Sequence, residues 1–110
     1  MKKTLVVYQT VSGKEPLTEW LNSLDNSIRA RIYARFKRVA EGNLGDHKRF
    51  YGIIELRYDL GKGYRVYCKE EGHTIVLLLT GGDKGSQQDD IFWALKYWED
   101  YNEQKKIQNT

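Results

Sequence analysis

The chain has 110 residues, of which 40% are hydrophobic and 30% are charged, and this composition is typical of one globular domain. It excludes a multidomain protein, a disordered chain and a collagen-like chain. The net charge of +3 is modest, so binding to nucleic acid depends on where the basic residues cluster.

The sequence also argues against a membrane protein and a metalloprotein. No apolar run approaches the roughly 18 residues of a membrane span, and the run after Lys2 and Lys3 is too short for a signal peptide. We therefore expect a cytoplasmic protein without a membrane partner. The single cysteine, Cys68, is expected to be a buried, inert thiol. No zinc-site spacing, P-loop or dinucleotide motif occurs, so we expect no metal and no small-molecule cofactor.

The first half of the chain predicts one strand and a helical hairpin. A β-branched and aromatic run predicts a strand over 4–8, and Pro16 fits the first turn of a helix that ends near Leu24. Apolar residues at helical spacing predict a second helix, ended by Gly42: Ile28, Ile32, Phe36 and Val39. The opposite face of this helix is basic, as on many solvated helices, and carries Arg29, Arg31, Arg35, Lys37 and Arg38. The polar segment 42–52 predicts a loop.

The second half predicts three strands and a final helix. Apolar and charged residues alternate over 53–60 and again over 64–69, which is typical of half-buried strands. The strand predicted over 74–80 contains five consecutive aliphatic residues, so it should be central and covered on both faces. A capping-box-like start at Ser86 and Asp89 predicts a helix that covers the second face.

The predicted element order is βααβββα. It indicates an α+β fold of two layers, in which the helical hairpin packs on a small, mostly antiparallel sheet. We expect a single domain over residues 1–101, followed by a polar tail over 102–110 that is frayed.

The hairpin predicted between the second and third strands places two arginines opposite each other. A three-residue connection at 60–62 pairs Arg57 with Arg65 and Glu55 with Tyr67. Like charges in this position destabilise a sheet by about 0.2–1 kcal/mol, so the pair needs a counter-charge or a bound anion. Because arginine's planar fork suits phosphate oxygens, the pair predicts a phosphate site. Two other interpretations remain: the face carries charges for solubility, or Glu55 pairs with one arginine.

The glycine-rich segment 80–87 connects the last strand to the last helix. Its backbone N–H groups, the helix N-terminus and Lys84 could together cradle an anion. A plain strand-to-helix turn has the same composition, so both interpretations remain.

Several aromatic residues are candidates for stacking or for a partner surface. Tyr67, on the charged face, is a candidate for base stacking or proton transfer, whereas Tyr58 and Tyr64 are expected in the core. Phe92 and Trp93 fall outside the apolar stripe of the last helix. They predict a partner surface unless the sheet wraps around them.

Four motifs follow one another in the second half: Glu55-Leu56-Arg57, Gly63-Tyr64-Arg65-Val66-Tyr67, Leu78 to Lys84, and Gln88-Asp89-Asp90-Ile91. With the helical hairpin before them, they resemble the RelE/ParE superfamily of toxins, most closely the HigB-like addiction module killer group. The resemblance extends from the first strand through Tyr101. It implies a RelE-like fold and a bacterial or phage toxin of a toxin–antitoxin system. RelE- and HigB-type members cleave mRNA on the ribosome, whereas ParE-type members inhibit DNA gyrase.

The resemblance also implies residue roles. Arg65 corresponds to the arginine of the family's Gly-Tyr-Arg strand, which contacts the scissile phosphate in RNA-cleaving relatives. Arg57 and Lys84 match basic positions on the neighbouring strand and on the loop after the last strand. We therefore expect an endoribonuclease, or mRNA interferase, in which these cations stabilise attack of the RNA 2′-hydroxyl on its own 3′-phosphate without a metal.

The chain departs from the RelE pattern where a tyrosine is expected near the last segment, since Gln88, Asp89 and Asp90 stand there. The general base is thus left open among Glu55, Tyr67, Asp89 and Asp90.

Further RNA contacts are expected from Lys48, Arg49, Lys69, Asp83, Gln88 and Asp89. The implied partners are the ribosome, mRNA and a helix-turn-helix antitoxin, for which Phe92 and Trp93 are the candidate contacts. Two alternatives remain: a ParE-like DNA gyrase inhibitor without catalysis, and a degenerate toxin retained as a binding module.

Overall fold

The computed structural model describes residues 2–108, which form an α+β fold, as predicted. The helices are α1 (Pro16–Asn22), α2 (Asn26–Ala40) and α3 (Gln87–Gln108); the strands are β1 (Thr4–Val7), β2 (His47–Phe50), β3 (Ile53–Arg57), β4 (Arg65–Glu71) and β5 (Ile75–Gly82). A 3₁₀ turn, Lys84–Ser86, precedes α3. Within the described residues, no helix is both long and apolar enough to cross a membrane.

The strands form one mixed sheet in the order β1-β5-β4-β3-β2. β1 pairs with β5 in parallel, and the other neighbouring strands pair antiparallel. A mostly antiparallel sheet is thereby confirmed. β5 lies between β1 and β4, an interior position that suits its run of aliphatic residues.

The segment 42–52, predicted as a loop, contains the extra strand β2, in which Phe50 lies opposite Ile53 of β3. The two-residue turn between these strands has φ of 51° at Tyr51 and 79° at Gly52. Positive φ at both positions is the geometry of a tight hairpin turn, which is normally recognised by Asn-Gly or Asp-Gly. Because the strand is short and polar and its turn lacks that signal, the predicted order βααβββα is wrong by one strand. The order is βααββββα.

Two apolar clusters lie on opposite faces of the sheet. Leu17 of α1 and Ile32 of α2 belong to the cluster on one face. Ala94 of α3 belongs to the cluster on the other face, together with Leu77 and Leu79 of β5. The prediction that the last helix covers the second face of this strand is confirmed. The two-layer description is wrong, because α3 forms a third layer of its own.

The polar tail predicted to fray over 102–110 is largely helical, since α3 continues to Gln108. Lys105 Nζ lies 2.9 Å from Glu71 Oε1, so an ion pair ties the last turns of the helix to the end of β4. The final two residues of the predicted tail lie outside the described residues, as does Met1.

Candidate phosphate-binding site

The hairpin of β3 and β4 has the predicted register, with Arg57 opposite Arg65 and Glu55 opposite Tyr67. Residues directly opposite each other project from the same face of a sheet, and alternation along each strand places all four side chains on one face. The first residue of α3, Gln87, reaches this face and contacts Glu55.

Glu55 supplies the counter-charge that the arginine pair requires. Its fully buried carboxylate has Oε1 3.3 Å from Arg57 Nε and Oε2 3.6 Å from Arg65 Nε. The Tyr67 hydroxyl and the Gln87 amide donate hydrogen bonds to Oε2 at 3.0 and 2.8 Å. Because a buried charge is tolerated when it is paired and hydrogen-bonded, these contacts allow a carboxylate beneath α3. Glu55 is shared by both arginines rather than paired with one.

The solvent-facing positions predicted for Glu55 and Tyr67 are wrong. Both residues are 0% exposed, because α3 covers the face that alternation assigned to solvent. Burial, followed by the charge of Glu55, raises the pKa of Tyr67 well above its usual range, and the opposing effect of Arg65 is smaller. Tyr67 therefore cannot stack on a base, and neither group is placed to act as a general base.

Arg57, Arg65 and Lys84 line one cavity of about 270 Å³, as their predicted convergence requires. Arg65 Nη1 donates to the Gly63 carbonyl at 2.8 Å. Gly63 has φ of 73°, and a Cβ there would lie 3.4 Å from both Arg65 Nη1 and Lys84 Cβ, so the turn packs closely against both cations. Cations from β3, β4 and the loop after β5 thus face one space suited to a phosphate group.

Tyr58 also lines this cavity. Tyr58 is 8% exposed, which confirms its predicted core position. Among residues 2–108, however, its hydroxyl has no hydrogen-bond partner, a rare state for a buried polar group. Burial raises the pKa of Tyr58 far more than the nearby Arg35 lowers it, so the hydroxyl keeps its proton and can donate.

A second cavity of about 530 Å³ adjoins the first on the side of α2. The two share Asp46, Arg57, Tyr58 and Asp59, and α2 adds Arg31, Arg35 and Arg38. The basic face predicted for α2 therefore extends the cationic surface of the hairpin.

Arg35 has a structural role within this surface. Its Nη2 donates to the Leu44 carbonyl at 2.8 Å, and its guanidinium also bonds the backbone carbonyls of Asp46 and Arg57. The guanidinium carbon lies 4.7 Å from the centre of the Tyr58 ring. Arg35 thus holds the backbone at Arg57 in position against the segment that precedes β2.

The glycine-rich loop is not the predicted backbone cradle for an anion. Lys84 N–H donates to the Lys62 carbonyl at 3.3 Å and Ser86 N–H to the Asp83 carbonyl at 3.2 Å. Gly85 N–H donates to Asp83 Oδ1 at 2.8 Å. Because these amides close the turn, the loop contributes the Lys84 side chain rather than its backbone.

Three basic residues predicted to contact RNA do not line either cavity. Lys48 is exposed on β2, and Arg49 is paired with Glu70 at 2.7 Å. Lys69 donates to the Gly52 carbonyl at 2.5 Å. Lys48 lies directly opposite Glu55 and therefore projects from the face of the arginine pair, although it lines neither cavity. Arg49 lies opposite Ile54, and Lys69 lies on β4 beyond Tyr67.

The acidic and amide residues predicted near the start of α3 divide between two other spaces. Gln88 and Asp89 line one together with Lys84, and Asp83 and Asp90 line another. Ser86 Oγ donates to Asp90 Oδ2 at 2.5 Å, which is a contact between two side chains and not the expected capping box with Asp89. Burial, reinforced by its acidic neighbours, raises the pKa of Asp90.

Sequence reasoning missed Asp46 and Gln87 as parts of the site, and it considered Asp59 only as a counter-charge for the arginine pair. Alternation along β3 would have placed Asp59 on the same side as Arg57. Asp46 could not be found, because it reaches the cavity through the unpredicted strand β2. Gln87 had no signal of its own, since only the docking of α3 brings it to Glu55.

Two further predictions, the exposure of two aromatic side chains and the burial of the cysteine, are confirmed. Phe92 and Trp93 are 52% and 51% exposed. Cys68 is buried, and burial raises its pKa from 9.0 to about 12, as expected of an inert thiol. In the part of the chain described, no group of three or more His, Cys, Asp and Glu side chains is placed to hold a metal ion.

Comparison with known proteins identifies a relative in Haemophilus influenzae (strain Rd). That protein, described as uncharacterized, is 49% identical over 86 residues, which cover 74% of this chain and 87% of the relative. The chain belongs to the family of this Haemophilus protein. No known family profile matches the chain, and no solved structure matches it.

Replacing Glu55 tests whether its carboxylate stabilises the fold as the counter-charge shared by Arg57 and Arg65. Glu55→Ala leaves Arg65, whose side chain is 9% exposed, without its partner. Since breaking a buried ion pair costs about 3–5 kcal/mol, we expect the free energy of unfolding in urea to fall by about 3 kcal/mol. Glu55→Gln keeps an acceptor for Tyr67 and should lose less. Glu99→Gln, on the surface of α3, is the control, and an equal loss in both alanine and control variants contradicts the assignment.

Proposed function

We propose that this protein is the toxin of a toxin–antitoxin pair, with a RelE-like fold, and that it cleaves mRNA on the ribosome. The convergence of Arg57, Arg65 and Lys84 at one cavity carries the proposal, because fixed cations at one point suit a nucleic-acid phosphate. The resemblance supports the same class, since the arginine of its Gly-Tyr-Arg strand is Arg65. Tyr58, another lining residue, has a buried hydroxyl without a partner among residues 2–108, and this supports a polar ligand nearby.

In the proposed reaction, the RNA 2′-hydroxyl attacks the adjacent 3′-phosphate. A bond from O2′ to phosphorus forms and the bond from phosphorus to O5′ breaks, giving a 2′,3′-cyclic phosphate and a 5′-hydroxyl. A base takes the proton of the 2′-hydroxyl, and an acid or water protonates O5′. The three cations stabilise the additional negative charge of the pentavalent transition state, and ribosome-bound mRNA supplies the orientation.

We assign the general base to Asp46 or Asp59. They are the carboxylates that line the same cavity as the three cations, and both are exposed. Glu55 is buried behind the arginines, and Asp89 and Asp90 line other spaces. A general base must reach the proton that it abstracts, so position favours the aspartates of the cavity.

Arg65→Gln tests the catalytic proposal. Removing one preorganised charge-stabilising donor typically lowers a rate about 10²–10³-fold, so induction of this variant should abolish the mRNA cuts that the wild type produces. Arg65→Lys keeps the charge but loses the planar fork, and it should retain part of the activity. Primer extension on cellular mRNA after induction measures the cuts within translated frames.

The control for this experiment is Lys106→Gln, which removes an exposed cation of α3. It should cut as the wild type does. If the wild type produces no mRNA cuts but inhibits gyrase in a supercoiling assay, the ribonuclease proposal is contradicted and the ParE-like alternative is favoured. Wild-type induction that changes neither growth nor RNA would favour the degenerate toxin.

Asp46→Asn and Asp59→Asn separate the two candidates for the base. A general base contributes about 10²–10⁴-fold, so one variant should cleave ribosome-bound mRNA at least about 100-fold more slowly. Glu41→Gln, an exposed change at the end of α2, is the matched control. Wild-type rates in both aspartate variants would exclude this assignment.

We further propose that a helix-turn-helix antitoxin contacts Phe92 and Trp93. Their rings are edge to face with centroids 5.4 Å apart, and Trp93 stacks on Tyr97 at 5.9 Å. Large aromatic side chains held in place at a surface are typical centres of protein interfaces.

The product of the neighbouring open reading frame is the probe for this surface. Trp93→Ala should weaken its complex with the toxin at least about tenfold, as expected for a central interface residue, when titrated by calorimetry. Tyr33→Ala removes an aromatic side chain that is 46% exposed on α2 and serves as the control. Equal affinities for the wild type and Trp93→Ala would contradict the proposal that the antitoxin contacts this surface.

A further inference from the structure

The two cavities beside the hairpin adjoin each other, and together they are called the groove here. Arg57 and Tyr58 line both, so the lining of the groove extends from Lys84 to the basic face of α2. At the α2 end, Arg31 and Arg38 are exposed and line the wall. Arg35, in contrast, is committed to backbone carbonyls.

The charges in this groove are not uniform. Asp46 and Asp59 line both cavities and therefore lie where the two meet. Cationic charge is then greatest at the two ends, with Arg65 and Lys84 at one end and the exposed Arg31 and Arg38 at the other. This pattern matches a nucleic-acid strand, in which phosphates alternate with uncharged sugars.

The Tyr58 hydroxyl is a hydrogen-bond donor for which the protein supplies no acceptor. The hydroxyl is buried and has no partner among residues 2–108, and the residue that carries it lines both cavities. Leaving a buried polar group unsatisfied costs stability. A ligand oxygen in the groove would satisfy this hydroxyl.

We propose that the α2 end of the groove binds a second phosphodiester of the same RNA strand, with Arg31 and Arg38 supplying charge and the Tyr58 hydroxyl donating a hydrogen bond. This inference rests on the proposed function and extends its substrate contact from one phosphate to two. The site would hold the strand in a fixed direction across the scissile phosphate, because the two ends of the groove differ in their residues.

The test uses RNA that cannot be cut because every 2′-hydroxyl is methylated. A dinucleotide offers one phosphodiester and a tetranucleotide offers three. At low salt, the wild type should bind the tetranucleotide about tenfold more tightly than the dinucleotide, measured by NMR titration. Arg38→Gln should remove most of that advantage and reduce the slope of log K against log salt by about 0.7, the effect of one phosphate contact on a single strand. Dinucleotide binding should stay unchanged.

Tyr58→Phe separates a binding role from a structural one. It removes only the unpartnered hydroxyl, so the free energy of unfolding should stay equal or rise, while tetranucleotide affinity falls about threefold or more. Lys37→Gln, one residue from Arg38 on α2 and outside the groove, is the control and should bind both RNAs as the wild type does.

The subsite is overturned if Arg38→Gln and Tyr58→Phe bind the tetranucleotide as the wild type does, or if the wild type binds neither RNA. It is also overturned if Tyr58→Phe loses stability with unchanged affinity, because the hydroxyl would then serve the fold. Failure of the proposed function appears separately, as an absence of mRNA cuts in cells, and leaves the binding measurements interpretable.

Discussion

Two arginines stand opposite each other on adjacent strands because a fully buried carboxylate lies between them. Removing Glu55 from water has a high cost, and the hydrogen bonds from Tyr67 and Gln87 offset part of it. Since Gln87 is the first residue of α3, the third layer of the fold takes part directly in fixing the arginines. Packing of the last helix and geometry of the cationic cavity are therefore one structural requirement.

The sequence predicts the parts of this arrangement that depend on local rules. Connection length sets the register that brings Arg57 opposite Arg65, and the glycine turns place Lys84 nearby. Alternation groups side chains on a face but says nothing about what covers that face. The burial of Glu55 and Tyr67 could not be predicted, because it depends on where α3 docks.

The remaining differences have similar physical causes. Strand β2 is short, polar and joined by a turn without the usual asparagine or aspartate, so local propensity did not indicate it. The amides of the loop before α3 looked free in sequence, yet each of those at 84–86 finds an acceptor once the chain folds. The strand depends on the backbone conformation of its turn, and the Lys84 amide depends on the Lys62 carbonyl, which is far away along the chain. Composition indicates neither of them.

The parallel pairing of β1 with β5 has a consequence for synthesis of the chain. Val6 lies opposite Leu77, so the first strand made must wait for one of the last before it can join the sheet. The residues that enclose Glu55 are completed later still, with Gln87. A nascent chain that ends before Gln87 therefore contains both arginines but cannot yet enclose Glu55 between them. The groove is complete only when translation of the chain is nearly finished.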